Sequence, residues 1–210
     1  MSNIAKYRTL FSLAGKKAIV TGGSRGIGKA LAEGLAAYGA DVAIVVKSTV
    51  DRAEAVASDI RKDGTDAFVI QADVSNEADV KRMTEAVIKR WGRIDILVNN
   101  AGIIYPGNSE SYTLEDFRKT MATNLDGVFL VSREVGQQMI RQKSGSIITI
   151  GSMSGYIVNW PFRHTAYNVS KAGVHMLCKG LATEWAEHGV RVNAIAPGYI
   201  RTELTDEVMK

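Results

Sequence analysis

The sequence predicts an α/β protein built on a doubly wound parallel sheet, and three observations predict it. Short β-branched runs alternate with longer amphipathic segments along the whole chain. The runs are near-continuously apolar rather than strictly alternating, as strands covered by helices on both faces are. A glycine-rich turn joins the first run to the first amphipathic segment, at the place where open α/β sheets bind phosphates.

Taken in order, strands are predicted at 16–21, 41–46, 66–72, 94–99, 146–151 and 190–195. Helices fill the gaps at about 26–38, 51–63, 76–90, 114–140 and 166–187. In the first helix Ile27, Leu31, Leu35 and Tyr38 recur at three and four residues and predict one inward stripe. Ser75 is the expected cap of the third helix and Thr113, three before Asp116, of the fourth. Successive β-α-β crossovers are right-handed, which builds a doubly wound α/β sheet. No repeat, low-complexity stretch or linker interrupts the pattern, so residues 1–210 are expected to form one domain.

Composition narrows the functional classes. The 210 residues are 46% hydrophobic and 23% charged, a globular balance far from that of disordered chains. No run of about 18 uncharged apolar residues exists, so no transmembrane helix is predicted. Residues 1–15 lack the apolar core of a signal peptide. The single cysteine, Cys178, allows neither an internal disulfide nor a Cys-based zinc site, and His164, His175 and His188 show no metal-ligand spacing. No metal and a reducing, cytoplasmic setting are expected. Net charge is +4, but the 26 basic residues are dispersed beside 22 acidic ones. That is a solvated surface rather than a nucleic-acid track.

Residues 16–31 read strand, turn, helix, with Gly22, Gly26 and Gly28 in the turn and Ser24, Arg25 and Ile27 between and beside them. The turn must be tight, the backbone must approach a pyrophosphate, and the helix N-terminus supplies free N–H groups. A glycine trio alone equally fits a bare turn; its position after the first strand favours a nucleotide. Asp73 and Val74 follow strand three and Asn100, Ala101 and Gly102 follow strand four, again at carboxyl ends. Asp73 is placed to accept from an adenine amino group, or else to cap a helix.

Tyr167 and Lys171 stand four apart, on one helical face. A phenol titrates near 10, and a fixed positive charge nearby lowers that value towards general acid/base work. With this pair the chain resembles the short-chain dehydrogenase/reductase family, on T-G-G-S-R-G-I-G at 21–28, D-V at 73–74, N-N-A-G at 99–102, N-L-D-G at 124–127, I-G-S-M-S-G at 150–155, Y-N-V-S-K at 167–171 and P-G-Y-I-R-T at 197–202. The resemblance implies a Rossmann-type sheet and a reaction that interconverts a ketone and a secondary alcohol. It implies that Tyr167 is the general acid/base, that Lys171 lowers its pKa and holds the nicotinamide ribose, that Ser152 hydrogen-bonds the substrate oxygen, and that Asn124 holds a proton-relay water. Pro197, Gly198, Ile200 and Thr202 join the cofactor site on the same ground. Ser152 and Tyr167 are 15 apart where many relatives have 13. Ser154 restores 13, but Ser152 directly follows the strand and is preferred.

The position that carries an acid in NAD-preferring enzymes of this fold is Val46, which accepts no hydrogen bond. Lys47, Ser48 and Arg25 are available for a 2′-phosphate, so NADP(H) is expected over NAD(H). The segment 152–168 resembles the polyol dehydrogenase and ketose reductase branch, which includes mannitol dehydrogenases and sorbose reductases. There Asn159, Arg163 and His164 are offered to sugar hydroxyls and Trp160 and Phe162 to C–H faces, with Ser154 beside them. The PFRH tetrad at 161–164 departs from the Gln-rich pattern of that branch, and Arg163 alternatively selects an acidic or phosphorylated sugar. Reduction of 3-oxoacyl thioesters is the alternative within the family, and a non-catalytic NADP-binding regulator the alternative outside it. Small residues in the last two long helices (Gly136, Ala172, Gly173, Gly180) are expected, by resemblance, on the face of a homodimer or tetramer. Relatives continue beyond this point with a substrate-covering segment and a seventh strand. The chain is therefore expected to be C-terminally incomplete, with a mobile lid near 203–210.

Overall fold

The apolar runs become strands because each has two faces to bury. The computed structural model describes residues 10–208. In it β1 (Lys17–Thr21), β2 (Asp41–Val46), β3 (Ala67–Gln71), β4 (Ile96–Asn99), β5 (Gly145–Ile150) and β6 (Val190–Ile195) form one parallel sheet in the order β3-β2-β1-β4-β5-β6. The helices are α1 (Gly26–Ala37), α2 (Val50–Lys62), α3 (Glu77–Trp91), α4 (Leu114–Met121), α5 (Gly127–Gln142), α6 (Thr165–Trp185) and α7 (Glu203–Val208). Alternate strand residues feed two cores. Ile19, Ala43, Leu97 and Ile147 pack with Met83 of α3, Val135 of α5 and Val174 of α6. Val20, Val42, Ile44 and Val98 pack with Ala32 of α1 and Val56 of α2. This is the doubly wound fold that the uninterrupted apolar runs predict.

Several local expectations change. The inward face of α1 is Gly28, Ala32 and Ala36, whereas Tyr38 caps the helix end and is exposed. Small residues let this helix lie close to the sheet, and the larger Leu31 and Leu35 only flank it. The cap of α3 is Asn76, whose side chain accepts from the Asp79 N–H, rather than Ser75. Thr113 caps α4 as expected, accepting from the Asp116 N–H at 3.0 Å. The predicted helix 114–140 is broken by a π turn, Ala122–Asp126. Within it Asn124 accepts from the Ile103 N–H at 2.8 Å and donates to the Ile103 carbonyl at 2.9 Å. One inserted residue shifts the helix phase to make this reach, and hydrophobic periodicity does not register it.

Two of the small residues, Gly136 and Gly173, permit close packing within the chain. A Cβ on Gly136 would lie 2.6 Å from the Trp185 ring, and one on Gly173 3.0 Å from Leu125. Expectations resting on residues 1–9 and 209–210 fall outside the described residues. Residues 203–208 of the expected lid are helix α7.

Candidate active site

The sheet order reverses between β1 and β4, and their carboxyl ends open a cleft of 700 Å³, the position where open α/β sheets take ligands. The glycine turn forms its base. Gly22 and Gly26 have φ of 69° and 52°, the left-handed region. A Cβ on Gly28 would lie 2.3 Å from the Gly22 carbonyl oxygen, so α1 can start against the turn only with glycine there. The first turn of α1 carries no acidic residue and no side-chain cap, which leaves its N–H groups free for an anion.

Thr21 locks the turn to the end of β4. Its Oγ1 accepts from the Asn100 and Ala101 N–H groups at 3.0 and 3.1 Å. The Asn100 amide in turn donates to the Thr21 and Gly22 carbonyls at 3.0 and 3.1 Å. Asn100 is thus a brace for the phosphate turn, and Thr21, which sequence reasoning passed over, is its partner. The signal available was a hydroxyl residue at the last strand position before the glycines.

The cofactor residues expected from sequence converge here. Ser24, Arg25, Ile27, Lys47, Ser48, Asp73, Val74, Ala101, Gly102, Pro197, Gly198, Ile200 and Thr202 all line the cleft with the three glycines. So do Thr49, Ser75, Ile103, Tyr105, Thr205 and Glu203, which sequence reasoning missed. At the end beside β2 and β3, Lys47 Nζ lies 2.6 Å from Asp73, which also accepts from the Ser75 N–H and hydroxyl. Burial pushes the Asp73 carboxyl up, but Lys47 and Ser75 together hold it below its ordinary value. Glu203 of α7 receives two hydrogen bonds from Arg52, at 2.8 and 2.9 Å, and stands 3.7 Å from Arg25. Arg52 was not foreseen because Glu203 is 151 residues away.

At the other end Tyr167 and Lys171 share one face of α6 and reach the cleft with Ser152. Lys171 is buried and donates to the Ile150 carbonyl at 2.7 Å. Burial lowers its pKa to about 8. Its Nζ lies 5.5 Å from the centre of the Tyr167 ring. Burial pushes the Tyr167 phenol up, and the Ser152 hydroxyl opposes the rise only in part.

Ser152 opens a single 3₁₀ turn, Met153–Gly155, and its Oγ accepts from the Ser154 N–H at 3.1 Å. The Ser154 hydroxyl donates to Asn159 at 3.1 Å, and the Asn159 amide donates to the Tyr199 hydroxyl at 3.2 Å. Ser154 and Asn159 are therefore taken up by each other and by Tyr199. Trp160 is 78% exposed, and Arg163 lies 5.9 Å from its ring and bonds Asn108. The structure does not bring Ser154, Asn159, Trp160 or Arg163 to the cleft, because their loop folds onto the segments after β4 and β6. Asn124 is buried beneath it, also bonded to Ser170 at 3.1 Å.

The residues present fit a dinucleotide. The turn offers free N–H groups, and bare backbone at Gly102 leaves room beside the buried ammonium. A Cβ there would lie 3.8 Å from Lys171 Nζ and 3.4 Å from Asn124 Oδ1. Comparison with known proteins agrees. Residues 16–210 match the short chain dehydrogenase family, and the chain belongs to it; it is an oxidoreductase. It is 45% identical over 199 residues to galactitol 2-dehydrogenase of Rhizobium johnstonii, covering 94% of this chain and 77% of that one. It is 40% identical to an NADP-dependent mannitol dehydrogenase of Alternaria alternata, covering 97% and 77%. It is 41% identical to the 3-oxoacyl-(acyl-carrier-protein) reductase FabG of Staphylococcus aureus, covering 91% and 77%. The crystal structure of gox2181 superposes with a TM-score of 0.93 at 42% identity, over 97% of this chain and 79% of that one.

Proposed function

We propose that the protein is an NADP(H)-dependent enzyme that interconverts a ketone and a secondary alcohol on a sugar or polyol. One observation carries the reading: Ser152, Tyr167 and Lys171 meet at one end of the same cleft whose other end is the phosphate turn. Gly22 to Gly28 would hold the pyrophosphate, Asp73 and Val74 the adenine, and Lys171 the nicotinamide ribose. Arg25, Lys47 and Ser48 would hold the 2′-phosphate, with Val46 in place of an opposing acid. Bound there, the nicotinamide supplies the hydride.

The residues of the chain manage the proton. In reduction the Tyr167 hydroxyl gives its proton to the carbonyl oxygen while the Ser152 hydroxyl donates a hydrogen bond to the same oxygen. Burial of the Tyr167 phenol favours its protonated form, the form that donates in reduction. Asn124, fixed in its π turn against Ile103 and Ser170, holds the relay water through which Lys171 exchanges protons with solvent. The chain is read as one domain, working in a reducing compartment where Cys178 stays a thiol. Exposed Leu114, Phe129, Val169 and Met176 on α4 to α6 offer an apolar face for a second copy.

Polyol chemistry is supported by the galactitol and mannitol dehydrogenase relatives. Reduction of 3-oxoacyl thioesters is the second reading, favoured by the likeness to FabG. The test is NADPH consumption with a panel of ketoses and 3-oxoacyl thioesters, and NADP⁺ reduction with polyols. Turnover of ketoses and polyols is expected; turnover of thioesters alone overturns the polyol reading.

A further inference from the structure

We propose that His175 is a positioning residue of this site, whose imidazole Nε2 holds the Ser152 backbone so that the Ser152 hydroxyl stays at the reacting oxygen. The inference rests on the reading of Ser152 as the hydroxyl that meets the substrate. Tyr167, Lys171 and His175 are spaced four apart on α6 and form one stripe. The first two members face the cleft, and the third lies under the loop that follows β5.

Three contacts tie that loop to the ring. The Ser152 N–H donates to His175 Nε2 at 3.4 Å. The imidazole stacks on Tyr156, with centroids 4.2 Å apart and planes 20° apart. Both glycines around the serine are shaped by the same ring: a Cβ on Gly151 would lie 2.2 Å from Nε2, and one on Gly155 2.7 Å from Cε1. On its other side the loop is pinned to the chain after β6, by the Gly151 N–H on the Ile195 carbonyl at 2.8 Å and the Met153 N–H on the Pro197 carbonyl at 3.1 Å. Ser152 is thus clamped between an imidazole and the end of the sheet.

A role as mere filling does not account for the residue. If Nε2 accepts, the ring proton sits on Nδ1, and buried Nδ1 has no hydrogen-bond partner among the described residues. A leucine or phenylalanine would fill the space without stranding a donor. Burial, with the charges of Lys171 and Lys179 on the same helix, holds the ring below the ordinary histidine pKa. That favours the neutral ring, whose Nε2 lone pair accepts from the Ser152 N–H.

The test uses the wild-type protein first. Long-range ¹H–¹⁵N correlation spectra read the tautomer of His175, and a proton on Nδ1 with a bare Nε2 is expected; a proton on Nε2 overturns the proposal. Then His175→Phe keeps the stacked ring and removes the acceptor, while His175→Gln returns an acceptor the same number of bonds from Cα. Leaving the buried Ser152 N–H unmet should lower kcat about tenfold in the Phe variant, with the KM for cofactor within about twofold. The Gln variant should recover most of that loss. A Phe variant with the wild-type kcat, or a Gln variant as slow as Phe, contradicts the positioning role. Ser152→Ala is measured alongside: if it turns over like wild type, the proposal falls with the reading of Ser152 rather than with the geometry of His175.

Discussion

Lys171 is held where charge is penalised. Burial depresses its pKa from 10.5 to about 8 while leaving it mostly protonated at pH 7. Between these two values the unfolded chain binds more protons than the folded one, so this group makes stability rise with pH from about 8 to about 10.5. Below that window its ammonium costs on the order of 3 kcal/mol, set against about 1 kcal/mol from its bond to the Ile150 carbonyl. Lys171→Met should therefore abolish turnover yet raise the melting temperature at pH 7 by a few degrees. Melts at pH 7 and above 10.5 check it, since the advantage should vanish at the higher pH. At the other end of the cleft Lys47 pairs with Asp73, and under the proposed function it would exchange that carboxylate for a 2′-phosphate. Lys47→Asp removes the cation and supplies a ribose acceptor. The ratio of kcat/KM for NADPH over NADH should fall below one in that variant, from above one in the unmutated enzyme. Equal values in the unmutated enzyme defeat the assignment.

Among the elements, the strand-turn-helix unit was legible because its demands are local. Gly22, Gly26 and Gly28 answer needs of backbone that adjacent residues create, and a sequence window contains both the need and the answer. Gly28→Ala would drive a methyl into the Gly22 carbonyl. It should lower cofactor affinity at least tenfold and reduce the melting temperature, readable by cofactor fluorescence titration and by thermal melts. The π turn at Asn124 was illegible, because a one-residue shift in helix phase is compensated by bonds to Ile103, 21 residues earlier. The partners of the loop after β5 were illegible for a related reason. Asn159 and Arg163 are polar residues whose chemistry suits a sugar, but their partners Tyr199 and Asn108 lie 40 and 55 residues away. Only the folded chain shows those partners.

For the whole molecule, the doubly wound class followed from apolar runs that need two covered faces, whereas the order of strands did not. That order puts β1 beside β4 and β4 beside β5, and so brings Asn100 to Thr21 and Gly102 near Lys171. The cleft then has two ends with different chemistry, cations and a glycine turn at one and a phenol, a hydroxyl and a buried ammonium at the other. The central claim is that these ends serve one hydride-transfer reaction with Tyr167 as its proton donor. The most direct measurement is NADPH oxidation in the presence of a ketose by wild-type protein and Tyr167→Phe, with NADPH binding to each followed by fluorescence. The account predicts that the Phe variant binds NADPH with nearly unchanged affinity and retains less than about a hundredth of the wild-type kcat. A Phe variant that binds NADPH and still turns over within tenfold of wild type would contradict it.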